Sequence, residues 1–584
     1  MWPLSASCHK ALLPVGGTTI LGRIMDSLVK AGISRVTVVT GYRAHDVERF
    51  LRCDYPDADL RFVHSPRFAE TNNVVSLSLA LEELALDADV VLIECDLLFD
   101  PTLIARLIDN PGRDVALVDR YRSGMDGTVV TVRDGFVAEV YPTEAQGADF
   151  DYRDKFKTLN IYQFSREFIQ TTLRAWLRAY ATMVDSSCYY ELVLGMLTNI
   201  PAHRISAEIV TGERWVEVDS PSDLTVASFQ FEPEQRPAIL DRAFGGHWNY
   251  DVLDFAFMRN AYFPTGAMLA AMRHALPELV ADYGSAQPVL NEKLSLFLRC
   301  DPSRLQVLHG ATQAFPILGR ILDGASAAVP TPTFGEYTRA FPCAAAYPDA
   351  PGVDWAALRR LSRDCRLLVI VNPNNPTGTT LSSTQVHAFA QRRPGNMVLV
   401  DESFLAFSGE PSLVDLLERQ PLDNVIVLTS LSKCLGTSGL RLGYVYSCNQ
   451  ALIEQVGAEL PVWNLSAPAE FLLELLVKFT SAYAASIERT VRDREEFRRQ
   501  LELLPMREVY PSGGNFLLAR LAGDDPLLAD RVRRWLLRSE RIEVKDVTGR
   551  FLSRTPSLRL AVRAPADNTR LITALESILS TEAT

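Results

Sequence analysis

Three apolar segments in the second half of the chain each end on polar side chains, and this pattern constrains the fold most strongly. VIVNPNNPTGTTL (369–381), VLVDESFLAFSG (398–409) and NVIVLTSLSKCLGTSGLRLGYV (424–445) each have the composition of a buried strand followed by a turn. From about residue 240 such strands alternate with helical segments to the end of the chain. The pattern predicts a large α/β domain followed by a small C-terminal α+β subdomain.

The polar residues after these strands are those needed to hold a protonated pyridine ring that carries a phosphate. Lys433 is the candidate for a covalent bond to an aldehyde carbon, and Asp401 for keeping the ring nitrogen protonated. Ser430 and Arg441 flank Lys433 at positions suited to the phosphate. Gly310, Ala311 and Thr312 are further candidates for the phosphate. Asn375 is the candidate for the ring's 3-oxygen, and Phe334 is the candidate for stacking on the ring. The sequence therefore predicts a pyridoxal 5'-phosphate site.

In this order and spacing, the motifs resemble those of the fold-type I, class I and II aminotransferases over nearly all of 240–584. The resemblance implies a PLP-dependent transferase fold and a homodimer, formed through this domain, with active sites at the subunit interface. It also implies that Arg559, in SLRLAVRAPADN, binds the α-carboxylate of the substrate.

Two residues depart from the usual aminotransferase pattern. Phe404 stands where a tyrosine normally contacts the cofactor, and Arg563 stands where glycine is common. The stretch around Arg563 is similar to threonine-phosphate decarboxylases, which release CO₂ from a phosphorylated amino acid. A second arginine would suit a phosphate or phosphonate tail, although Arg563 also fits a solvent-exposed position. We favour decarboxylation, and transamination stays open.

The first half also alternates strands and helices, from residue 18 to about 230. RVTVVTGY (35–42) and ADVVLIECD (88–96) predict buried strands, VVSLSLALEEL (74–84) predicts a helix, and two further strands are expected between 114 and 141. We expect a Rossmann-like, largely parallel sheet covered by helices, with ligands beyond the carboxyl ends of its strands. The polar, proline-containing FQFEPEQRPAIL (229–240) is interpreted as a linker, which gives domains 1–232 and 240–584.

Five segments of the first half resemble motifs of the sugar-phosphate and phosphocholine type of nucleotidyltransferase over 1–228. They are KALLPVGG, TNNVVSLSLAL, ECDLLFD, KTLNIYQFS and WVEVDSPSDL. Joining two anions requires Mg²⁺ on carboxylates together with lysines. Asp96 and Asp219 are the expected metal ligands, with Glu217 assisting; Asp219 also fits a helix cap. Lys10 is the candidate for binding the triphosphate, and Lys157 for binding the transferred phosphate. Asn73 and Ser76 are the candidates for the base or acceptor pocket. The resemblance favours CTP.

In this family a glycine-rich loop before KALLPVGG cradles the triphosphate with its backbone amides. Residues 1–10 do not supply those glycines, whereas the acids and lysines further along are present. We therefore expect that the start of the chain was assigned too late, and that a chain beginning at Met1 has weak transferase activity.

Together the halves fit one substrate class, a small aminophosphonate or phospho-amino acid. The pairing resembles the bifunctional cytidylyltransferase/PLP proteins of phosphonate antibiotic biosynthesis. It implies cytidylylation with CTP and decarboxylation of 2-amino-4-phosphonobutyrate, giving CMP-linked 3-aminopropylphosphonate. The alternatives are a cytidylyltransferase fused to a 2-aminoethylphosphonate-type transaminase, and a PLP enzyme whose first half is an inactive nucleotide-binding module.

Composition excludes other classes of function. The net charge of −12 argues against a nucleic-acid partner. The 9 cysteines are scattered without a C-x-x-C pair, which argues against disulfides or a zinc site and favours a reducing compartment. Neither a membrane span nor a secretory signal is recognisable, so we expect a cytoplasmic protein.

Overall fold

The computed structural model describes residues 4–147, 149–200, 203–322, 326–350 and 352–582, and it divides into two compact units, Met1–Asp251 and Val252–Thr584. The strands of the first unit are β1 (Pro14–Val15), β2 (Thr18–Thr19), β3 (Arg35–Thr40), β4 (Asp59–His64), β5 (Val90–Ile93), β6 (Leu97–Phe99), β7 (Val115–Arg120), β8 (Val129–Arg133), β9 (Phe136–Tyr141), β10 (Phe156–Phe164), β11 (Ser206–Ile209) and β12 (Trp215–Glu217). Its helices are α1 (Leu4–Ser7), α2 (Ile20–Lys30), α3 (Ala44–Asp54), α4 (Asn73–Glu83), α5 (Thr102–Asp109), α6 (Arg166–Phe168), α7 (Arg174–Ala179), α8 (Tyr190–Leu197), α9 (Pro221–Phe231) and α10 (Arg236–Ala243).

The main sheet of the first unit is mixed, and the expectation of a largely parallel sheet was wrong. Its order is β5-β10-β7-β11-β9-β8, and within it only β7 and β11 pair in parallel among the described residues. The long strand β10 runs antiparallel to both β5 and β7. Strands β8 and β9 form a hairpin around Asp134 and Gly135, which both have positive φ (52° and 80°), as a tight Asp-Gly turn requires.

The segment 229–240 is not a linker, because most of it lies in α9 and α10. Arg236 is buried, and its Nε donates a hydrogen bond to the carbonyl oxygen of Phe229 at 2.8 Å. Pro237 stands in the first turn of α10, where its missing N–H costs nothing. The polar, proline-rich composition therefore marks two helix ends, and the division between the units follows Asp251.

The second unit contains a large and a small sheet. Its strands are β13 (Leu253–Asp254), β14 (Leu305–His309), β15 (Ala327–Thr331), β16 (Ala345–Pro348), β17 (Leu367–Val371), β18 (Met397–Asp401), β19 (Val425–Ser430), β20 (Leu442–Tyr446), β21 (Met506–Val509), β22 (Phe516–Leu521), β23 (Ile542–Glu543), β24 (Lys545–Asp546) and β25 (Ser557–Ala561). Its helices are α11 (Gly266–Ala281), α12 (Gln287–Leu298), α13 (Ala314–Ile321), α14 (Gly335–Ala340), α15 (Trp355–Leu361), α16 (Ser383–Gln391), α17 (Leu413–Arg419), α18 (Leu431–Cys434), α19 (Gln450–Ala458), α20 (Ala467–Lys478), α21 (Thr480–Glu502), α22 (Leu528–Glu540) and α23 (Pro565–Glu582).

The large sheet has 7 strands in the order β14-β20-β19-β18-β17-β15-β16. Strands β19, β18, β17, β15 and β16 run parallel, whereas β20 is antiparallel to β19 and β14 is antiparallel to β20. Every residue of β17 is buried, as expected for a strand covered on both faces. The register brings Asp401 level with Val371 and Leu428, so the carboxyl ends of three neighbouring strands share one edge.

A second, antiparallel sheet of 4 strands, β21-β22-β25-β24, forms the small C-terminal subdomain. Its apolar residues pack with those of α22 and α23 in one cluster.

Within the described residues, no helix combines the length and apolar character needed to cross a bilayer. All cysteines are free thiols, and Cys53, Cys95 and Cys343 are the exposed ones.

Candidate active sites

Asp401 lies at the end of β18, at the shared edge of the large sheet, and its carboxylate is held by two donors. The phenol of Tyr337 donates a hydrogen bond to Oδ2 at 2.7 Å, and the backbone N–H of Ser403 donates to Oδ1 at 2.9 Å. Burial raises the pKa of Asp401, while these donors and the charge of Lys433 oppose that rise. Tyr337 was not predicted from the sequence.

Lys433 lies in α18, directly after the neighbouring strand β19. Its pKa is lowered to about 8, first by burial and then by the charges of Arg559 and Arg441, with Asp401 acting in the opposite direction. About a tenth of this amine is therefore unprotonated at pH 7 and about half at pH 8. An unprotonated amine is the form of lysine that attacks a carbonyl carbon.

The turn before α13 forms a cup beside Arg441. Gly310 has a φ of +75°, and a Cβ atom there would lie 2.6 Å from Nη2 of Arg441. The same Nη2 donates a hydrogen bond to Oγ1 of Thr312 at 3.3 Å. Ala311 and Thr312 begin the short helical turn that leads into α13. A guanidinium facing a glycine turn is a suitable site for a phosphate.

Arg559 and Asn375 are brought together from β25 and the loop after β17. Nη1 of Arg559 donates a hydrogen bond to Oδ1 of Asn375 at 2.8 Å, and both side chains are buried. Burial and then the charge of Arg550 lower the pKa of Arg559 to about 9. Arg550, which was also missed, donates to the carbonyl oxygen of Thr333 at 3.0 Å. The contacts expected of Arg559 with a carboxylate and of Asn375 with the ring stay predictions.

Arg563 is not solvent-exposed, so that interpretation was wrong. Its side chain is 14% exposed and contacts Asp567 at 3.5 Å. Nε is the atom that faces Asp567, whereas Nη1 is buried without a hydrogen-bond partner among the described residues. Burial and the charge of Arg259 lower its pKa. A largely buried guanidinium with an unpaired Nη1 is suited to an anionic ligand.

The other predicted residues of this site have ordinary structural contacts. Phe334 precedes α14 and lies 6.2 Å from the ring of Phe315, so its stacking on a cofactor stays a prediction. The backbone N–H of Ser430 donates to Oγ of Ser403 at 2.9 Å. Phe404 is buried and packs edge-on against Phe516, with ring centroids 5.0 Å apart.

Pyridoxal phosphate fits this arrangement, because a lysine of lowered pKa, a buried carboxylate and a phosphate cup lie around one sheet edge. Lys433 would hold the aldehyde carbon, Asp401 the ring nitrogen, and Arg441 with the Gly310–Thr312 turn the phosphate. When bound, the cofactor withdraws electrons from the bonds at the α-carbon of an amino acid.

In the first unit, three carboxylates meet between β5, β6 and β12. One oxygen from each of Glu94, Asp96 and Glu217 lies within 4.8 Å of the others. Oδ1 of Asp96 is buried without a hydrogen-bond partner among the described residues. Converging carboxylate oxygens are the ligands that Mg²⁺ prefers, so these three residues would hold the ion.

Lys10 joins the two predicted metal ligands directly. Its Nζ lies 2.8 Å from Asp96 and 2.7 Å from Asp219. Burial alone would lower the pKa of Lys10, but the two carboxylates raise it well above its usual value, so the side chain stays charged. Asp219 is thus beside Lys10 rather than in the three-carboxylate group, and its metal role stays a prediction. The cap of α9 is Ser220, not Asp219.

Lys157 is 2% exposed and its ammonium is held firmly. Nζ donates to the carbonyl oxygen of Thr158 at 2.9 Å and lies 3.2 Å from Oε2 of Glu217. Gly127, with a φ of +85°, passes so close that a Cβ there would lie 3.0 Å from this Nζ. The structure therefore brings Lys157 to the same acidic group as Lys10.

Two asparagine side chains hold Glu94 in place. Asn73, the first residue of α4, donates to Oε1 at 3.0 Å, and Asn160 donates to Oε2 at 3.1 Å. Burial, and then Glu191 and the neighbouring acids, raise the pKa of Glu94 to about 8. Ser76 lies on the first turn of α4, half-buried.

Sequence reasoning missed Glu94, Asn160 and Glu191. A signal for Glu94 was present, since ECD (94–96) and EVD (217–219) repeat the same Glu-x-Asp spacing beside β6 and β12. These strands pair antiparallel, with Glu217 opposite Leu97.

Fold and sites define a two-part enzyme, a nucleotidyltransferase joined to a PLP-dependent enzyme. Residues 5–156 match the MobA-like NTP transferase domain, and residues 251–578 match aminotransferase class I and II. The chain belongs to the aminotransferase class I and II family, and it carries the nucleotidyltransferase domain in front. Both predicted enzyme classes are thereby confirmed.

Relatives cover both units or the second alone. The CMP-5'-(3-aminopropyl)phosphonate synthase of Streptomyces rubellomurinus is 29% identical over 98% of this chain and 92% of its own length. The L-serine phosphate decarboxylase of Sulfurospirillum multivorans is 27% identical over 52% of this chain and 81% of its own. The structure of the histidinol-phosphate aminotransferase from Clostridium acetobutylicum aligns with a TM-score of 0.50 at 20% identity, covering 56% of this chain and 100% of that one.

Proposed function

We propose that the chain is a bifunctional enzyme of phosphonate biosynthesis. Its first unit transfers CMP from CTP to an aminophosphonate, and its second unit decarboxylates a phosphono-amino acid such as 2-amino-4-phosphonobutyrate. The observation that carries the proposal is the similarity to the synthase, which runs through both units and 98% of the chain. It is supported by a group of polar residues in each unit that suits its half of the chemistry.

In the first unit, charge neutralisation is the main contribution to catalysis. Lys10 and Lys157 offset the repulsion between the attacking phosphonate oxygen and the α-phosphate of CTP, and Mg²⁺ held by Asp96 and its neighbours would add to this neutralisation. The raised pKa of Lys10 keeps this positive charge present at any physiological pH. Pyrophosphate is the leaving group.

In the second unit, arginines orient the amino acid. Arg559 would bind the α-carboxylate, and Arg563, whose buried Nη1 has no partner among the described residues, would bind the phosphonate. An anion held at both ends fixes the α-carbon next to Lys433. Because its pKa is about 8, Lys433 is able to return a proton to the α-carbon after CO₂ leaves.

Phosphorus NMR tests the proposal. The purified chain is incubated with PLP, Mg²⁺, CTP and 2-amino-4-phosphonobutyrate, with CO₂ measured in parallel. We expect a new CMP–phosphonate signal and stoichiometric CO₂. CO₂ without a CMP ester would instead identify the first unit as a binding module, and neither signal would contradict both activities.

Transamination is the second candidate, favoured by the family to which the second unit belongs. A transaminase needs an amino-group partner and leaves the cofactor in its amine form, whereas a decarboxylase needs no co-substrate. Consumption of the amino acid only when a 2-oxo acid is added, without CO₂, would establish transamination. The burial of Arg563 and the phenylalanine at position 404 support decarboxylation.

A homodimer formed through the second unit is part of the proposal. Helix α11 buries only Met268, whereas Leu276 and Val280 on it are exposed, as are the stacked rings of Tyr283 and Trp463. Such a patch favours association with a second copy. We expect Val280→Glu to convert a dimer to a monomer in light scattering, and Leu503→Glu, at another exposed leucine, to leave the mass unchanged.

The free thiols and the use of CTP support a cytoplasmic location.

A further inference from the structure

A segment near the start of the second unit, residues 254–263, crosses the element that contains Lys433; we call it the strap. It begins in β13 and ends before α11. Asn260 lies within it and is 2% exposed. The strap contains none of the residues that the sequence predicts to hold the cofactor, yet its backbone contacts two residues of the candidate site.

The first half of the strap is fixed to β25. The backbone N–H of Ala561 donates a hydrogen bond to the carbonyl oxygen of Phe255 at 2.9 Å. Nη2 of Arg559 donates to the carbonyl oxygen of Ala256 at 2.5 Å. Oδ1 of Asp254 accepts from the backbone N–H of Ala256 at 2.8 Å, which orients this part of the chain. This end of the strap is therefore fixed relative to Arg559.

The other end of the strap caps the short helix α18 through Asn260. Its backbone N–H donates to the carbonyl oxygen of Lys433 at 2.9 Å, and its Nδ2 donates to the carbonyl oxygen of Cys434 at 2.9 Å. Carbonyl groups at the end of a helix have no partner within the helix. Asn260 supplies donors to two of them in succession, and so holds the backbone of the lysine itself.

The side-chain amide of Asn260 is paired on every side. Nδ2 donates a second hydrogen bond to Oγ of Ser486 at 2.8 Å. Oδ1 accepts from the backbone N–H of Tyr262 at 3.0 Å and from Oγ1 of Thr490 at 3.4 Å. Ser486 and Thr490 are one turn apart on α21, and both are buried. Because a buried amide paired in this way has one favourable orientation, Asn260 joins α18 to α21 in a fixed arrangement.

The chain that follows Lys433 passes directly against the strap. Gly436 has a φ of +65°, and a Cβ atom there would lie 2.6 Å from the carbonyl oxygen of Asn260 and 2.0 Å from that of Phe263. Both distances are too short for a side chain, so this contact requires glycine. The strap thus restricts α18 by close packing as well as by hydrogen bonds.

We propose that Asn260 is a positioning residue for Lys433, which holds the backbone of α18 so that the amine keeps its place at the sheet edge relative to Arg559. The charges that act on this amine come from separate elements, namely Arg559 of β25, Asp401 of β18 and Arg441 after α18. A displacement of α18 would change both the hydration of the amine and its distances to these groups. The inference rests on the proposed role of Lys433 and applies to decarboxylation and transamination alike.

The experiment titrates the Lys433 amine in the full-length apoprotein by competitive labelling with acetic anhydride, read by mass spectrometry of the peptide. In the wild type the midpoint should lie at about 8. Asn260→Ser removes the two side-chain donors, so α18 loosens and the amine becomes more hydrated. We expect the midpoint to rise by about half a pH unit or more toward the usual lysine value. Uptake of pyridoxal phosphate at about pH 7.5 should then slow by about 3-fold or more, because less amine is unprotonated.

Asn424→Ser is the matched control, at the other end of β19. Nδ2 of this half-buried asparagine donates to the carbonyl oxygens of Ala390, Arg393 and Asn396 at 3.1, 3.0 and 3.0 Å. Its loss should lower the melting temperature and leave the Lys433 titration and cofactor uptake unchanged. The control therefore separates a general loss of stability from a displaced lysine.

Ser486→Ala removes one partner of the Asn260 amide and keeps the contact with Cys434. It should shift the midpoint in the same direction by a smaller amount, and it decides the question if Asn260→Ser does not fold. An unchanged midpoint in folded Asn260→Ser, or in Ser486→Ala where Asn260→Ser is unfolded, would overturn the positioning role. An equal shift in Asn424→Ser would also overturn it. Cofactor retained covalently by Lys433→Ala would remove the proposed role of the lysine, and the inference with it.

Discussion

One lysine in each unit, Lys10 and Lys433, has a shifted pKa, and the two shifts run in opposite directions because the neighbouring charges differ in sign. Lys10 lies between two carboxylates that raise its pKa and keep it cationic. Lys433 is buried near two arginines, and its pKa is lowered to about 8. One residue type thus stays charged in the first unit and is partly neutral in the second.

The pH dependence of cofactor capture follows from Lys433. Only the unprotonated amine attacks, so the rate at which apoprotein takes up pyridoxal phosphate should rise with pH through about 8 and then level off. Stopped-flow absorbance after mixing measures this rate. Lys433→Arg should show no such phase, and a rate that is flat across about one pH unit on either side of that value would contradict the assignment.

Asp96 should be essential for nucleotide transfer. Replacing its carboxylate in Asp96→Asn removes a charged ligand from the three-carboxylate group and weakens Mg²⁺ binding. We expect a loss of about 100-fold or more in pyrophosphate release from CTP. Asp109→Asn, at an exposed aspartate on α5, is the control and should retain full activity.

The sequence predicted the residues that follow strands but not those brought in from other elements. Lys433 and Asp401 could be recognised because parallel strands end at a common edge. Tyr337 and Glu191 come from helices whose approach depends on tertiary packing, and single helical residues carry no local signal of it. The alternative that Arg563 is solvent-exposed was wrong, because tertiary packing leaves only 14% of this side chain exposed.

At the scale of elements, strand direction was the least predictable property. An apolar segment such as β10 gives the same pattern whether its neighbours are parallel or antiparallel, and its partners β5 and β7 precede it by many residues. The Asp-Gly turn at 134–135 was the local signal that two adjacent strands form a hairpin. The large sheet was easier to predict, because helices between its strands require parallel crossovers.

The turn at Gly310 should be sensitive to a single methyl group. Gly310→Ala places a Cβ against the Arg441 guanidinium at a positive φ, so we expect at least about 10-fold weaker binding of pyridoxal phosphate. Equilibrium dialysis with absorbance detection measures this affinity. Gly319→Ala, within α13 and with its nearest outside atom at 3.9 Å, should bind normally; equal affinities in both variants would contradict the phosphate cup.

At the scale of the whole molecule, each compact unit contains its own group of candidate polar residues. The two groups share no side chain, so we expect each reaction to proceed without the residues of the other. The fusion therefore joins two chemical steps on one substrate class without merging their active sites.

Reciprocal loss of activity tests this separation. Lys433→Ala should lose the visible absorbance of bound cofactor and CO₂ release, and should keep wild-type CMP transfer. Asp96→Asn should show the reverse. Loss of both activities in either variant, with the protein still folded by circular dichroism, would show that the sites depend on each other.

The distribution of free thiols gives the molecule built-in attachment points. Cys53 and Cys95 are exposed in the first unit and Cys343 in the second. With Cys95 replaced by serine, a donor and an acceptor dye on Cys53 and Cys343 would report the distance between the units by energy transfer. Following that signal as CTP and then a phosphonate are added would show whether catalysis in one half repositions the other.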